Sequence, residues 1–103
     1  MAKKVYENQT KLRLRADLKL EEDENILNCD TIIKYVKPDK TTGSFVATIE
    51  DAYKGLIYYD VVLPTEIVGV GKWILWAYVT FPDGRVVPGE PFIMEVFKEG
   101  TIC

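Results

Sequence analysis

Residues 71–85, GKWILWAYVTFPDGR, constrain the fold more than any other part of the chain. The pattern predicts a long strand that leads into a tight turn and is apolar on both faces. One face carries Trp73, Leu75, Ala77, Val79 and Phe81, and the other carries Ile74, Trp76, Tyr78 and Thr80. A strand with one face in water alternates between apolar and polar residues, so we expect both sides of this strand to be covered.

Six further segments show strand patterns separated by turn signals. Residues 11–20 alternate strictly, with leucines or alanine pointing inward and mostly charged residues pointing outward. Residues 31–36 are rich in β-branched side chains, and their inward set is either Thr31, Ile33 and Tyr35 or Ile32 and Val36. The remaining strands are expected at residues 44–49, 56–63, 85–87 and 92–97.

These strands predict a single all-β domain, because no stretch of helical length has a 3.6-residue period. Short strands at this spacing are typical of a β-sandwich, and we expect an immunoglobulin-like sandwich of about seven antiparallel strands over residues 11–98. Residues 1–10 are expected to form an arm and residues 99–103 a tail. The expected core includes Trp73, Leu75, Val79, Phe92 and Met94. Further inward residues are expected from strand 56–63 and loop 65–71: Ile57, Tyr59, Val61, Leu63, Ile67, Val68 and Val70.

The composition argues against catalysis and against several classes of partner. The chain has no histidine, which is the commonest general base and metal ligand, and it has no nucleophile elbow or phosphate loop. We therefore expect no enzymatic activity, no cofactor and no metal. A net charge of -3 without a basic patch argues against nucleic acid, and no apolar run is long enough for a membrane helix. Cys29 and Cys103 are expected to be free thiols in a protein that stays in the cytosol where it is made.

The second face of the long strand is the candidate functional surface, with Ile74, Trp76 and Tyr78 as its residues. Flat rings on a sheet surface can anchor a protein contact or stack on sugars. Two interpretations remain open beside a protein interface. The arm or the loop at residues 64–71 can cover these rings within the monomer, or the face can belong to a carbohydrate- or ligand-binding module.

Several segments share the turn chemistry of a known family. They are the turn Lys37-Pro38-Asp39, the turn from Asp51 to Gly55, the hairpin Asp83-Gly84 and the last strand, GEPFIMEV. In this order the segments resemble small immunoglobulin-like domains of tailed bacteriophage virions, such as the N-terminal domain of phage baseplate upper proteins. Lys40 stands where that family often has glycine.

The resemblance implies a structural protein of the virion, such as a tail, baseplate or fibre adaptor or a capsid decoration protein. Such a protein is assembled in the host cytoplasm. Its expected partners are other virion proteins and copies of itself.

Overall fold

The computed structural model describes residues 3–18, 20 and 24–98. The expected tail at residues 99–103 and Cys103 lie outside the described residues. The strands are β1 (Lys3–Tyr6), β2 (Leu12–Asp17), β3 (Asp30–Val36), β4 (Thr42–Val46), β5 (Thr48–Asp51), β6 (Leu56–Val61), β7 (Gly71–Thr80), β8 (Val86–Pro88) and β9 (Phe92–Phe97). A 3₁₀ turn at Pro64–Glu66 precedes β7, and no helix among the described residues is long and apolar enough to span a membrane.

The strands form two sheets that pack as a sandwich. The six-stranded sheet has the order β1-β9-β7-β3-β4, with β8 also paired to β7, and the three-stranded sheet has the order β2-β6-β5. All pairs are antiparallel except β1 with β9, which is parallel. The predicted fold class, an all-β immunoglobulin-like sandwich, is confirmed.

The two ends of the strand order differ from the sequence-based expectation. The first part of the expected arm, Lys3–Tyr6, forms β1 beside β9, and Val5 is fully buried. The single strand expected at residues 44–49 is two strands, because the chain leaves β3 after Val46 and pairs with β6 from Thr48 onward. Strand β1 and this crossing between sheets together raise the strand count from about seven to nine.

Strand β7 lies at the centre of the six-stranded sheet. It pairs with β3 along one edge and with β8 and β9 along the other. On its inner face, Trp73, Leu75, Ala77 and Val79 are all fully buried, as the period-two pattern predicted. This face belongs to the same hydrophobic core as the apolar side of the three-stranded sheet, whose buried members are Leu14, Ala16, Ile57 and Val61.

A column of aromatic rings crosses the core from one sheet to the other. Tyr35 lies between Trp73 and Phe45, with ring centroids 5.2 Å and 4.9 Å apart, and Phe45 stacks on Tyr59 at 4.7 Å. Such ring pairs add stability beyond the area that they bury. The Tyr59 hydroxyl donates a hydrogen bond to the Glu66 carboxylate, which raises the pKa of Tyr59 to about 12. The hydroxyl at the Tyr59 end of the column thus has a hydrogen-bond partner.

The structure decides the inward set of β3. Thr31 and Ile33 face the core, and the Thr31 hydroxyl donates to the Ala47 carbonyl over 2.9 Å. This bond satisfies the one polar side chain that the core contains among the described residues.

Several residues expected inside, including Tyr59, are not fully buried. Leu63, Val68 and Val70 are exposed, and Phe92 is half-buried at the edge of the core. Gly69 and Gly71 have φ of 126° and 132°, which breaks the alternation on both sides of Val70. Ile67 is the residue of this loop that fills the core. The loop is also fixed by Trp73, whose Nε1 donates to the Gly69 carbonyl over 2.7 Å.

The β3–β4 hairpin holds a lysine in the left-handed region. The Lys40 amide donates to the Lys37 carbonyl over 2.9 Å, and Lys40 has φ of 70°. Asp39 completes the turn by accepting from the Thr41 amide. The position where the resembling family often has glycine is thus one where glycine is the residue without steric cost.

Replacing Trp73 by alanine tests the assignment of the two faces of β7. Trp73 is fully buried and joins the aromatic column, so Trp73→Ala should lower the free energy of unfolding by about 3–5 kcal/mol. Trp76→Ala is the matched control, because Trp76 lies on the outer face of the same strand and should cost much less. Urea denaturation of both variants measures the difference. Equal losses, or a Trp73→Ala variant as stable as the parent, would show that the faces are assigned wrongly.

A glycine at position 40 should stabilise the protein. A left-handed conformation costs an ordinary residue about 1–2 kcal/mol, and the greater freedom of glycine in the unfolded chain offsets part of the gain. We expect Lys40→Gly to raise the free energy of unfolding by about 0.5–1 kcal/mol. Thr41→Gly, next to it but without a positive φ, should lower this free energy. A destabilised Lys40→Gly variant would contradict the argument.

Candidate functional site

The three candidate residues of the second face lie together on the outer side of the six-stranded sheet. Ile74, Trp76 and Tyr78 alternate with the buried residues of β7, and Ile74 is 44% exposed. Trp76 and Tyr78 are half-buried. The structure therefore places all three on one surface, as the period-two pattern predicted, and leaves each partly accessible.

Neighbouring strands enlarge this surface. Ile32 and Val36 of β3 lie opposite Tyr78 and Ile74, and Ile93 of β9 lies opposite Ile74 on the other side. We call these six residues the outer patch: Ile32, Val36, Ile74, Trp76, Tyr78 and Ile93. Single exposed apolar residues are ordinary, but a contiguous group that spans three strands is typical of a contact surface.

One charged residue lies within the outer patch. Lys34 is opposite Trp76 in the ladder, and its Nζ lies 3.7 Å from the centroid of the Tyr78 ring. This cation–π contact keeps the ammonium over the ring and covers one side of Tyr78. The patch therefore combines apolar residues with one positive charge.

Neither of the segments expected to cover these rings does so in the described part of the chain. β1 extends the sheet beside β9, with Val5 pointing into the core. The loop before β7 places Ile67 in the core and bonds to Glu7 and Asn8 through Gly69 and Ile67. Both segments thus lie at the end and edge of the sandwich and leave the outer patch open.

The outer side of the three-stranded sheet has the opposite character. Arg13 forms two hydrogen bonds with Asp60, at 2.7 Å and 3.0 Å, and Arg15 pairs with Glu50 at 3.1 Å. The bond from Arg13 holds the pKa of Asp60 below its ordinary value. The Arg13 guanidinium also lies over the Tyr58 ring, 4.1 Å from its centroid. This face is suited to water, so the two faces of the sandwich differ in what they can bind.

The described residues contain no cluster of three or more histidine, cysteine, aspartate or glutamate side chains that could hold a metal ion. Cys29 is a free thiol, and partial burial followed by the charges of Asp30 and Asp83 raises its pKa. A raised pKa favours the neutral thiol, which is the less nucleophilic form. Open clefts lie beside Phe81 to Arg85, beside residues 46–49 and beside residues 10–13.

Sequence reasoning found the residues of β7 but missed Ile32, Lys34, Val36 and Ile93. These four residues join the surface because β3 and β9 pair with β7 in a particular register. The sequence pattern of a single strand does not reveal which strands pair or in which register. The apolar outward positions of β3 and β9 were the available signal. Their meaning depends on knowing that both strands flank β7.

No family model and no curated protein matches the chain. Among solved structures, the fold is similar to CopC from Methylosinus trichosporium OB3b. The two share 13% sequence identity with a TM-score of 0.53, over 99% of this chain and 89% of that chain. At this identity the likeness supports the β-sandwich fold and carries no inference about function.

Tryptophan fluorescence can test the accessibility of the outer patch. The chain has two tryptophans, so Trp73→Phe leaves Trp76 as the reporter and Trp76→Phe leaves Trp73. Acrylamide should quench Trp76 several-fold more strongly than Trp73, because Trp73 is fully buried and Trp76 is not. Equal quenching in the two folded variants would mean that another part of the chain covers the patch.

Proposed function

We propose that the protein is a non-enzymatic structural component of a tailed-bacteriophage virion and acts through protein–protein contacts. In this role it is a tail, baseplate or fibre adaptor or a capsid decoration protein, assembled in the host cytoplasm. Its partners are other virion proteins and copies of itself. The observation that carries the proposal is the outer patch, which is an open apolar surface on a sandwich whose opposite face is charged.

The outer patch has the composition of an interface centre. It combines two large rings with aliphatic residues, and residues of this kind dominate the affinity of protein contacts. Ile74 and Ile93 are 44% and 41% exposed, so contact with a partner would remove considerable apolar surface from water. Lys34 supplies a charge within the patch that a partner can pair with.

The turns that carry the resemblance to phage domains are formed in the structure, which supports the proposal. The Lys40 amide closes the Lys37-Pro38-Asp39 turn, and Asp51 Oδ1 accepts from the amides of Tyr53 and Lys54. Gly55 and Gly84 both have positive φ, at 71° and 90°. The residues that carry the resemblance therefore lie in turns, as the family pattern requires.

A carbohydrate- or ligand-binding module remains the second candidate, because Trp76 and Tyr78 stand two apart on a sheet surface. Sugars stack on an open ring face. Lys34 occupies one face of the Tyr78 ring, so that face is not available for stacking on a sugar. Binding of the isolated protein to a glycan array, lost in Trp76→Ser, would favour the module over the virion role.

Removing the two rings of the outer patch tests the proposed function. The double variant Trp76→Ser, Tyr78→Ser should stay folded, since neither ring belongs to the buried core. We expect it to be absent from assembled particles, because large rings at a contact centre often contribute about 2 kcal/mol or more each. Mass spectrometry of purified particles from a complemented phage measures incorporation. The isolated variant should also aggregate more slowly than the parent.

The matched control is Tyr53→Ser with Val62→Ser, which removes two exposed apolar side chains outside the outer patch. This control should be incorporated normally. Normal incorporation of the folded Trp76→Ser, Tyr78→Ser variant would contradict the proposal. Unfolding of that variant would show that the rings are structural.

A further inference from the structure

The free edges of the two sheets are not equally protected against pairing. In the described part of the chain the sheets end at β1, β4, β2 and β5, and β8, a three-residue strand that ends in Pro88, pairs only with β7. β1 contains two lysines in four residues, β2 contains Arg13, Arg15 and Asp17, and β5 contains Glu50 beside an irregularity in its register. Charges and bulges of this kind prevent edge-to-edge association. β4, with the sequence TGSFV, has neither charge nor proline, and its register with β3 runs without a shift.

The hydrogen bonds of β4 show which of its backbone groups are open. The Ala47 amide donates to Thr31, and the Lys37 amide donates to Thr41, in the register that continues through the strand. Bonded pairs alternate along an antiparallel ladder, so Gly43 and Phe45 are the residues that bond to β3. The amides and carbonyls of Thr42, Ser44 and Val46 therefore point away from β3.

We propose that the protein binds a second copy of itself by antiparallel pairing of β4 with β4 of the partner subunit. The two-fold axis passes beside Ser44, which then lies opposite Ser44 of the partner subunit. Thr42 lies opposite Val46 of the partner subunit. The backbone amides and carbonyls of Thr42, Ser44 and Val46, which point away from β3, form all the hydrogen bonds between the two copies. The two six-stranded sheets become one continuous sheet, and both outer patches lie on the same side.

The chemistry of this edge favours a second copy over another strand. An isologous contact must be self-complementary, and β4 meets this condition because its small residues lie around the axis. Val46, which is 78% exposed, is covered by the partner's threonine. The hairpin at residues 37–41 has two lysines and one aspartate, whereas residues 47–51 have no base and two acids, of which Glu50 is paired with Arg15. Antiparallel pairing brings the hairpin of each copy toward the acidic segment of the other.

A charge pair at position 44 tests the pairing. The Ser44 side chain is exposed on the outer side of the sheet, so Ser44→Lys and Ser44→Glu should both fold normally. Sedimentation velocity over a concentration series should show a reversible dimer for the parent and self-association weakened about fivefold or more for each variant, because like charges then lie opposite each other. An equimolar mixture of the two variants should recover the dimer, and native mass spectrometry should identify it as mixed.

Two controls separate this contact from the outer patch. Thr10→Lys adds the same charge at an exposed position just before β2, which belongs to the other sheet, and should dimerise like the parent. Trp76→Ser with Tyr78→Ser should also retain the dimer, so loss of either contact leaves the other testable. A parent protein that is monomeric up to its solubility limit would overturn the proposal and indicate an edge for a strand of another protein. Equal self-association of Ser44→Lys and Thr10→Lys, or no recovery in the mixture, would overturn it as well.

Discussion

Strand β7 is paired along both edges and apolar on both faces, and the remaining structure follows from how each face is satisfied. Its inner face is closed by the three-stranded sheet and by the aromatic column that begins at Trp73. Its outer face is closed by nothing comparable in the described part of the chain. A one-residue shift in register would exchange the two faces of β7, and both faces are apolar. No register of this strand therefore removes the apolar outer surface. The outer patch is thus a property of the strand on which the whole core depends.

Much of the core follows from alternation in the sequence. Leu14, Trp73 and Leu75 were predicted inside because a period of two assigns every second residue to one face, and all three are fully buried. The phase of β3 was undecided, since both of its faces contain β-branched residues. It is settled by a long-range bond, from the Thr31 hydroxyl to the Ala47 carbonyl, that makes a polar side chain acceptable inside. Local pattern cannot contain such a bond.

Other features depend on which strands become neighbours. The parallel pairing of β1 with β9 joins residues almost a whole chain apart, and the crossing from β4 to β5 occurs inside a segment of uniform pattern. Val68 and Val70 were expected inside but are exposed, because the glycines beside Val70 have positive φ. The candidate surface likewise combines residues that one strand predicts with residues that depend on which strands are neighbours. Its residues on β7 were predictable from the strand itself, whereas Lys34 and Ile93 join it only through register.

We propose that the open face of the six-stranded sheet is the contact surface in an assembled particle. Hydroxyl-radical footprinting of particles and of the isolated protein tests it directly, since aromatic side chains report their own accessibility. Trp76 and Tyr78 should be strongly modified in the isolated protein and protected in the particle, while Tyr53, which is 70% exposed, should react equally in both. Protection of Tyr53 together with unchanged modification of Trp76 and Tyr78 would contradict the claim.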